Sequence, residues 1–308
     1  MCCTCIFLKC MLAGALNHLR EELTRLGRPL VPIAENGMPV ESEYADDVNF
    51  LDEDPDKLRS MLPICNEVFK QWNLNLNESK TEFVNVHIAK ASDRRPDGTL
   101  LRGKEEWRNT KLLGSLLCST SDIQRRINLG NAAFSKYKKV WLQRKKISLA
   151  RKIQIYEAQV VSVLMYNSST WAAPKAIIEK LDACHRRHLR YILNYKYPHI
   201  ISNKNLYYRC NTTPLSERVN LSRWRMLGHV LRSPENTPAN TSLSFVVNSR
   251  GLLKSRVGRH QMNLFNIIKS DLCDRGINLN CLNDLQHLRT LAKNRSKCMT
   301  MKVTLIRR

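Results

Sequence analysis

A chain of 308 residues, 43% apolar and 25% charged, is long enough to bury a substantial core and too apolar to be disordered. Its 50 basic residues against 27 acidic ones give a net charge of +23, which points to a polyanionic partner, nucleic acid before a membrane surface. No apolar run approaches the ~20 residues that a membrane span needs.

The charge is unevenly spread. Residues 41–60 hold eight acids and two bases, whereas residues 121–200 hold sixteen bases and four acids, and residues 201–308 nineteen bases and five acids. The amino end lacks the basic flank of a secretory signal. Eleven scattered cysteines, an odd number, argue against a disulfide framework and for a reducing compartment. Cys2 and Cys5 have C-x-x-C spacing with no second ligand pair nearby, and the late set Cys273, Cys281, His287 and Cys298 has no close pair of zinc-like spacing.

In chain order, Leu12, Leu16, Leu19, Leu23 and Leu26 predict a helix that Gly27, Pro29 and Pro32 end. Asn36-Gly37 signals a turn into a strand before Tyr44. Glu43-Tyr44-Ala45-Asp46-Asp47-Val48 follows, between the apolar stretches Pro39-Val40 and Val48–Leu51. Neighbouring residues on a regular strand face opposite ways, but a tight hairpin relaxes that rule. Two carboxylates brought to one place suit a divalent cation such as Mg²⁺, which takes one or two carboxylates together with substrate phosphates. Paired metals of this kind clamp the attacking and leaving oxygens of a phosphoryl transfer. The plain alternative is an acidic turn in solvent.

Asp54 as N-cap and Pro55 at the first position open a second helix, with Leu58, Met61, Leu62, Cys65, Val68, Phe69 and Trp72 as its apolar stripe. A polar turn over residues 75–82 leads to a strand-like Phe83, Val84, Val86 and Ile88. After a loop with Pro96, Asp97 and Gly98, residues 111–117 read as a short buried strand or hairpin. The order β-β-α-β-β over residues 37–117 predicts an α+β layer.

From Ser121 the pattern turns helical. Ile123, Ile127, Phe134, Tyr137 and Trp141 mark the apolar face of one helix that also carries Arg125, Arg126, Lys136, Lys138 and Lys139. A more buried helix is expected over 148–166, a third over 174–195 with Arg186, Arg187 and Arg190, and a fourth over 215–231, where His229 reads as packed or capping. Clustered cations with interleaved aromatics suit contact with a nucleic-acid backbone. The domains expected are 1–117, 118–232 and a basic extension 233–308.

Several separated motifs resemble one family. Tyr44-Ala45-Asp46-Asp47 resembles the Tyr-x-Asp-Asp catalytic hairpin of reverse transcriptases. Residues 76–82 resemble the lysine-bearing motif that follows it, and Lys111-Leu112-Leu113-Gly114-Ser115 the leucine-glycine turn near the primer grip. Tyr166 to Trp171, Arg186 to Ile192, Ser202-Asn203, Trp224 to Arg232 and Arg256 to His260 are similar to marks that follow the palm in non-LTR (LINE-type) retrotransposon proteins. The resemblance implies a partial polymerase palm followed by a helical thumb, and an RNA-directed DNA polymerase acting on an RNA template and a DNA primer. Asp46 and Asp47 would hold Mg²⁺, with Tyr44 and Ala45 lining the primer end and Leu113 and Gly114 near the primer grip. Lys80 would be the acid toward the leaving pyrophosphate. Arg125, Arg126, Lys138, Lys139, Arg186, Arg187 and Arg190 would track the template-primer backbone.

The family's further metal-binding aspartate on an earlier strand has no counterpart, since residues 1–45 contain no aspartate. The expectation is therefore the carboxyl-terminal part of such an enzyme, inactive alone. The alternative is a non-catalytic basic RNA- or DNA-binding module. A nuclease lacks a histidine-metal cluster to support it. The basic run Arg144-Lys145-Lys146 suggests an intracellular, nuclear location.

Overall fold

The computed structural model describes residues 3–30, 40–52, 54–84, 106–248, 263–273 and 276–293. The protein is mostly helical, 67%, with two small antiparallel hairpins among the described residues, an α+β composition in which helices dominate. The chain divides into two compact units, Met1–Asn85 with Ser233–Lys254, and Val86–Arg232 with Ser255–Arg308. The Lys111 hairpin thus belongs with the helices that follow it rather than with the first 84 residues.

In the first unit, α1 (Cys3–Arg25) packs on α2 (Pro55–Gln71). Leu12, Ala15, Leu16, Leu19 and Leu23 meet Met61, Cys65, Val68 and Phe69. Each fully buried leucine contributes roughly 1.5–3 kcal/mol. Leu26 is not on this stripe, because the helix stops one residue earlier and leaves it 52% exposed. Gly27, at φ 73°, closes the helix: its N–H bonds Thr24 O at 3.0 Å and the Arg28 N–H bonds Leu23 O at 2.8 Å. This is the double bond pattern that satisfies the last free carbonyls of a helix. Asn73 closes α2 in the same way.

At the other end of α2, the Asp54 side chain accepts from the Asp56 N–H at 2.9 Å, as the sequence predicts. Trp72 caps α2 and lies against α1, where its Nε1 donates to His18 Nδ1 at 3.2 Å and Gly14 leaves room for its ring. β1 (Glu41–Tyr44) and β2 (Asp47–Phe50) form one hairpin, with Glu41 opposite Phe50 and Tyr44 opposite Asp47. Val48 and Phe50 pack against the two helices. The expected strand at Phe83 and Val84 is absent: these residues are irregular and Phe83 is 52% exposed, while Val86, Ile88 and the Pro96 to Gly98 loop lie outside the described residues. The two hairpins are therefore separate two-stranded sheets, not one layer. Helix α9 (Pro238–Asn248) belongs to this unit, and its Asn240 is fully buried and donates to Ser233 O at 2.9 Å.

In the second unit, β3 (Lys111–Leu112) and β4 (Ser115–Leu116) precede α3 (Ser119–Tyr137). The hairpin is more open than expected, with Leu112, Leu113 and Leu117 all exposed. The α3 helix does not run on regularly to Trp141. Lys138–Leu142 winds as a π-helix, closed by the Gln143 N–H on Lys138 O at 3.0 Å. The wider turn shifts the side-chain phase. Leu142 is therefore fully buried, and Trp141 is 46% exposed.

The expected helix 148–166 is likewise three pieces: α4 (Leu149–Tyr156), a π-helix over Glu157–Val161, and α5 (Ser162–Leu164). Helices α6 (Lys175–Ile192), α7 (Asn203–Cys210) and α8 (Leu215–Arg232) complete the main core. Gly130 on α3 lets α5 approach so closely that a Cβ there would sit 2.3 Å from Leu164 Cδ2. Glu157 takes Arg218 in two bonds of 2.6 and 2.9 Å, joining the π-helix to α8. Helices α10 (Leu264–Cys273) and α11 (Leu282–Lys293) follow, and α11 packs on α8. Among the described residues no helix is long and apolar enough to cross a membrane.

Candidate functional site

The acidic pair sits at the tip of the β1–β2 hairpin. Ala45 and Asp46 form the two-residue turn, and Asp47 is the first residue of β2. Ala45 has φ 56°, in the left-handed region that L residues rarely adopt, and Asp46 does not share it. One left-handed residue at the first central position is what a type II′ hairpin turn demands, a place usually given to glycine. Holding alanine there costs about 1–2 kcal/mol.

Strand alternation then orders the side chains. Val48 and Phe50 turn toward the helices, so their partners Glu43 and Glu41 share that face. Glu41 is buried and takes Arg20 of α1 through two bonds, 2.6 and 3.2 Å. Tyr44 and Asp47 occupy the opposite, solvent face, where Tyr44 is 64% exposed. Asp46 and Asp47 are both exposed, and neither has a hydrogen-bond or ion-pair partner among the described residues. The hairpin thus presents two unengaged carboxylates at one tip.

Oxygen ligands of this type suit Mg²⁺. The set stops at two, since no group of three or more candidate ligands for a metal ion exists among the described residues. Glu41, the buried carboxylate of the same hairpin, is committed to Arg20.

Lys80 lies in the same unit, in a single 3-10 turn over Glu78–Lys80. Asn77 shapes this turn. Its carbonyl accepts from the N–H groups of Lys80 and Thr81 at 3.0 Å each, and its side chain accepts from Ser79 Oγ at 2.6 Å. The Lys80 ammonium is exposed and pairs with neither aspartate among the described residues.

Leu113 and Gly114 belong to the other unit, as the turn of the β3–β4 hairpin. Both have positive φ, 48° and 75°, the type I′ requirement. This turn is clamped. Tyr166 Oη donates to Leu113 O at 2.9 Å, Arg125 Nη1 donates to Gly114 O at 3.0 Å, and Arg126 Nη2 donates to the same carbonyl. The Arg126 guanidinium stacks 4.3 Å over the Tyr166 ring.

Asp122, 1% exposed, sits behind the clamp. Its carboxylate accepts from the Leu116 N–H at 3.0 Å and from Trp171 Nε1 at 2.9 Å, with Arg125 and Arg126 both 3.7 Å away. Trp171 O in turn accepts from Arg223 of α8 at 3.2 Å. One buried carboxylate therefore joins hairpin, α3, the segment after α5, and α8. Sequence reasoning missed Asp122 because an isolated acid in a first helical turn looks like an ordinary dipole partner.

The arginines and lysines expected to face a polyanion divide into two groups. Arg126 is 6% exposed and engaged by Gly114, Ser115 and Tyr166, so its guanidinium is turned into the protein and not toward a ligand. Arg125 shares that role in part. Lys138 lies 3.9 Å over the Tyr191 ring, Arg187 donates to Asn131 Oδ1 at 2.8 Å, and Arg190 donates to Asn203 Oδ1 at 2.7 Å. Lys139 and Arg187 are exposed, while Arg186 and Arg190 are half-buried.

Beneath α6 lies a polar cluster that periodicity concealed, because its histidines occupy core positions of the stripe. Tyr156 Oη bonds His185 Nδ1 at 2.8 Å and His188 Nδ1 at 3.3 Å. Phe134 stacks on His188 with centroids 4.0 Å apart, and His188 Nε2 donates to Asn131 Oδ1 at 3.0 Å. Burial, aided by Arg218 and Arg186, lowers His185 to about 3 despite the opposing Thr213 backbone. Burial, with Arg187 and His185, lowers His188 to about 3. Both imidazoles are neutral at pH 7. Compared with protein-family models, curated proteins and solved structures, the chain matches none.

Proposed function

We propose that the chain is a palm-and-thumb portion of a reverse transcriptase of the non-LTR retrotransposon type. The observation that carries the reading is the strained hairpin tip, with Asp46 and Asp47 unengaged beside an exposed Tyr44. The strain of a left-handed alanine beside two bare carboxylates supports a functional tip over a plain solvent turn. In this reading Asp46 and Asp47 hold Mg²⁺, which when bound supplies charge neutralisation at a transferring phosphoryl group. Tyr44, on the same face as Asp47, offers a ring beside the primer end. Lys80 is an exposed cation available to a leaving phosphate. The basic second unit follows an RNA template and DNA primer by contacts to phosphate.

The carboxylate pair lacks a third member among the described residues, so the chain by itself is expected to give no measurable primer extension. The test is Mn²⁺ binding followed by water-proton relaxation in the wild-type chain and in Asp46→Asn and Asp47→Asn. Weak binding abolished by either substitution supports the reading. Equal binding by all three proteins refutes the metal site. Robust extension on an RNA template, lost in Asp46→Asn, would overturn the expectation of inactivity.

A second reading, a non-catalytic RNA- or DNA-binding module, is favoured by the basic excess over residues 121–308. It predicts salt-sensitive binding that survives both aspartate substitutions.

A further inference from the structure

Between Asp182 and Glu217 the chain carries no acidic residue, yet Arg186, Arg187, Arg190, Lys196, Lys204 and Arg209 all fall there. This span is the carboxyl end of α6, a loop, and α7. It also carries the three most exposed large apolar side chains among the described residues, Tyr197 at 94%, Ile200 at 87% and Tyr208 at 85%. Solvated apolar area of that size is costly to maintain at roughly 25 cal/mol per Å².

The scaffold beneath these side chains is fixed. Leu206 and Cys210 bury the inner face of α7, and Ser202 caps its start by accepting from the Asn205 N–H at 3.2 Å. Arg209 Nη1 donates to Tyr195 Oη at 2.6 Å, which ties α7 back to the loop's beginning. Arg190 Nη2 bonds Asn203 across the same junction. The loop is thus held at both ends while Tyr197 stands in solvent. On α7, Lys204 and Tyr208 are four residues apart, hence neighbours on one exposed face. Lys196 adjoins Tyr197 in the loop.

We propose that this surface binds single-stranded nucleic acid, with unpaired bases stacking on Tyr197 and Tyr208 and phosphates meeting Lys196 and Lys204. A ring with free faces offers a base a stacking partner whatever its identity, and a nearby lysine neutralises the adjoining phosphate. A duplex keeps its base faces covered, so it gains only the charge contacts. The inference needs neither Asp46 nor Asp47; it rests on the nucleic-acid-binding reading and deepens it, and a loss of single-strand but not duplex binding separates it from charge-driven binding alone.

The test uses the full chain and fluorescence anisotropy with labelled oligo-dT, labelled oligo-rU and a duplex of equal length, alongside phosphatidylserine vesicles. Tyr197→Ala and Tyr208→Ala are each expected to weaken single-strand binding about tenfold, with duplex affinity and the salt slope unchanged. The double Lys196→Gln/Lys204→Gln variant should lower the slope of log K against log salt by about 1.4 on single strands. Tyr197→Phe/Tyr208→Phe keeps the rings and should bind as wild type, which separates lost stacking from a lost fold. The inference is overturned if the alanine variants bind single strands as wild type does, if they weaken duplex binding equally, if the Phe variant also loses binding, or if only vesicle binding falls.

Discussion

Lowering the pH from 7 to 5 is expected to loosen the second unit through its two buried histidines. In the unfolded chain both titrate near the ordinary value of ~6.5, whereas in the fold both are held at about 3. A group whose folded value is depressed binds more protons when unfolded, so stability rises with pH between the two values and is lost on acidification below ~6.5. At pH 5 the unfolded imidazole is almost fully protonated and the folded one is not. The difference from pH 7 is ~2 kcal/mol per histidine, ~4 kcal/mol for the pair as an upper bound.

The structure explains why the fold does not accept the proton. His185 is fully buried and His188 2% exposed, with Arg186, Arg187 and Arg218 the cations that oppose their protonation and Tyr156, Tyr207 and Cys184 titratable neighbours. Amide hydrogen exchange of α3 and α6 at a series of pH values, corrected for intrinsic rates, reads this term apart from the first unit. The control is the His185→Gln/His188→Gln double variant, which cannot take up these protons. Its protection should be lower at pH 7 but fall less steeply between pH 6.5 and 4. Parallel slopes for the two proteins would refute the reasoning.

Two further predictions concern packing. Asp122→Asn keeps the shape but removes the charge facing Arg125 and Arg126; it should lower the second unit's stability by about 3–5 kcal/mol, read as a lower urea midpoint. Unchanged urea midpoints would show that the carboxylate is not the hub described. Gly130→Ala pushes a methyl group into Leu164 and should cost about 1–3 kcal/mol in thermal unfolding, relieved when combined with Leu164→Ala. An additive double variant would exclude that contact as the cause.

Local chemistry was legible in the sequence wherever one residue type settles a local question. Asp54 and Pro55 open α2, Gly27 closes α1, and Tyr44 to Asp47 make a hairpin, because caps and turns are decided by a few adjacent residues. The acidic tip itself was readable for the same reason. Periodicity misplaced Trp141 and Leu26 because it assumes an unbroken 3.6-residue turn, and the chain departs from that at a π-helix and at a helix end. It also missed the histidine cluster, whose members sit at core spacing and look apolar by position.

What tertiary structure alone decided is which polar groups are in use. Glu41 and Arg126 resemble their exposed neighbours in sequence, yet the fold commits one to Arg20 and the other to the β3–β4 turn. Pairing across tens of residues depends on how helices pack, which no local pattern records. The same packing left Asp46, Asp47, Tyr197 and Tyr208 facing solvent.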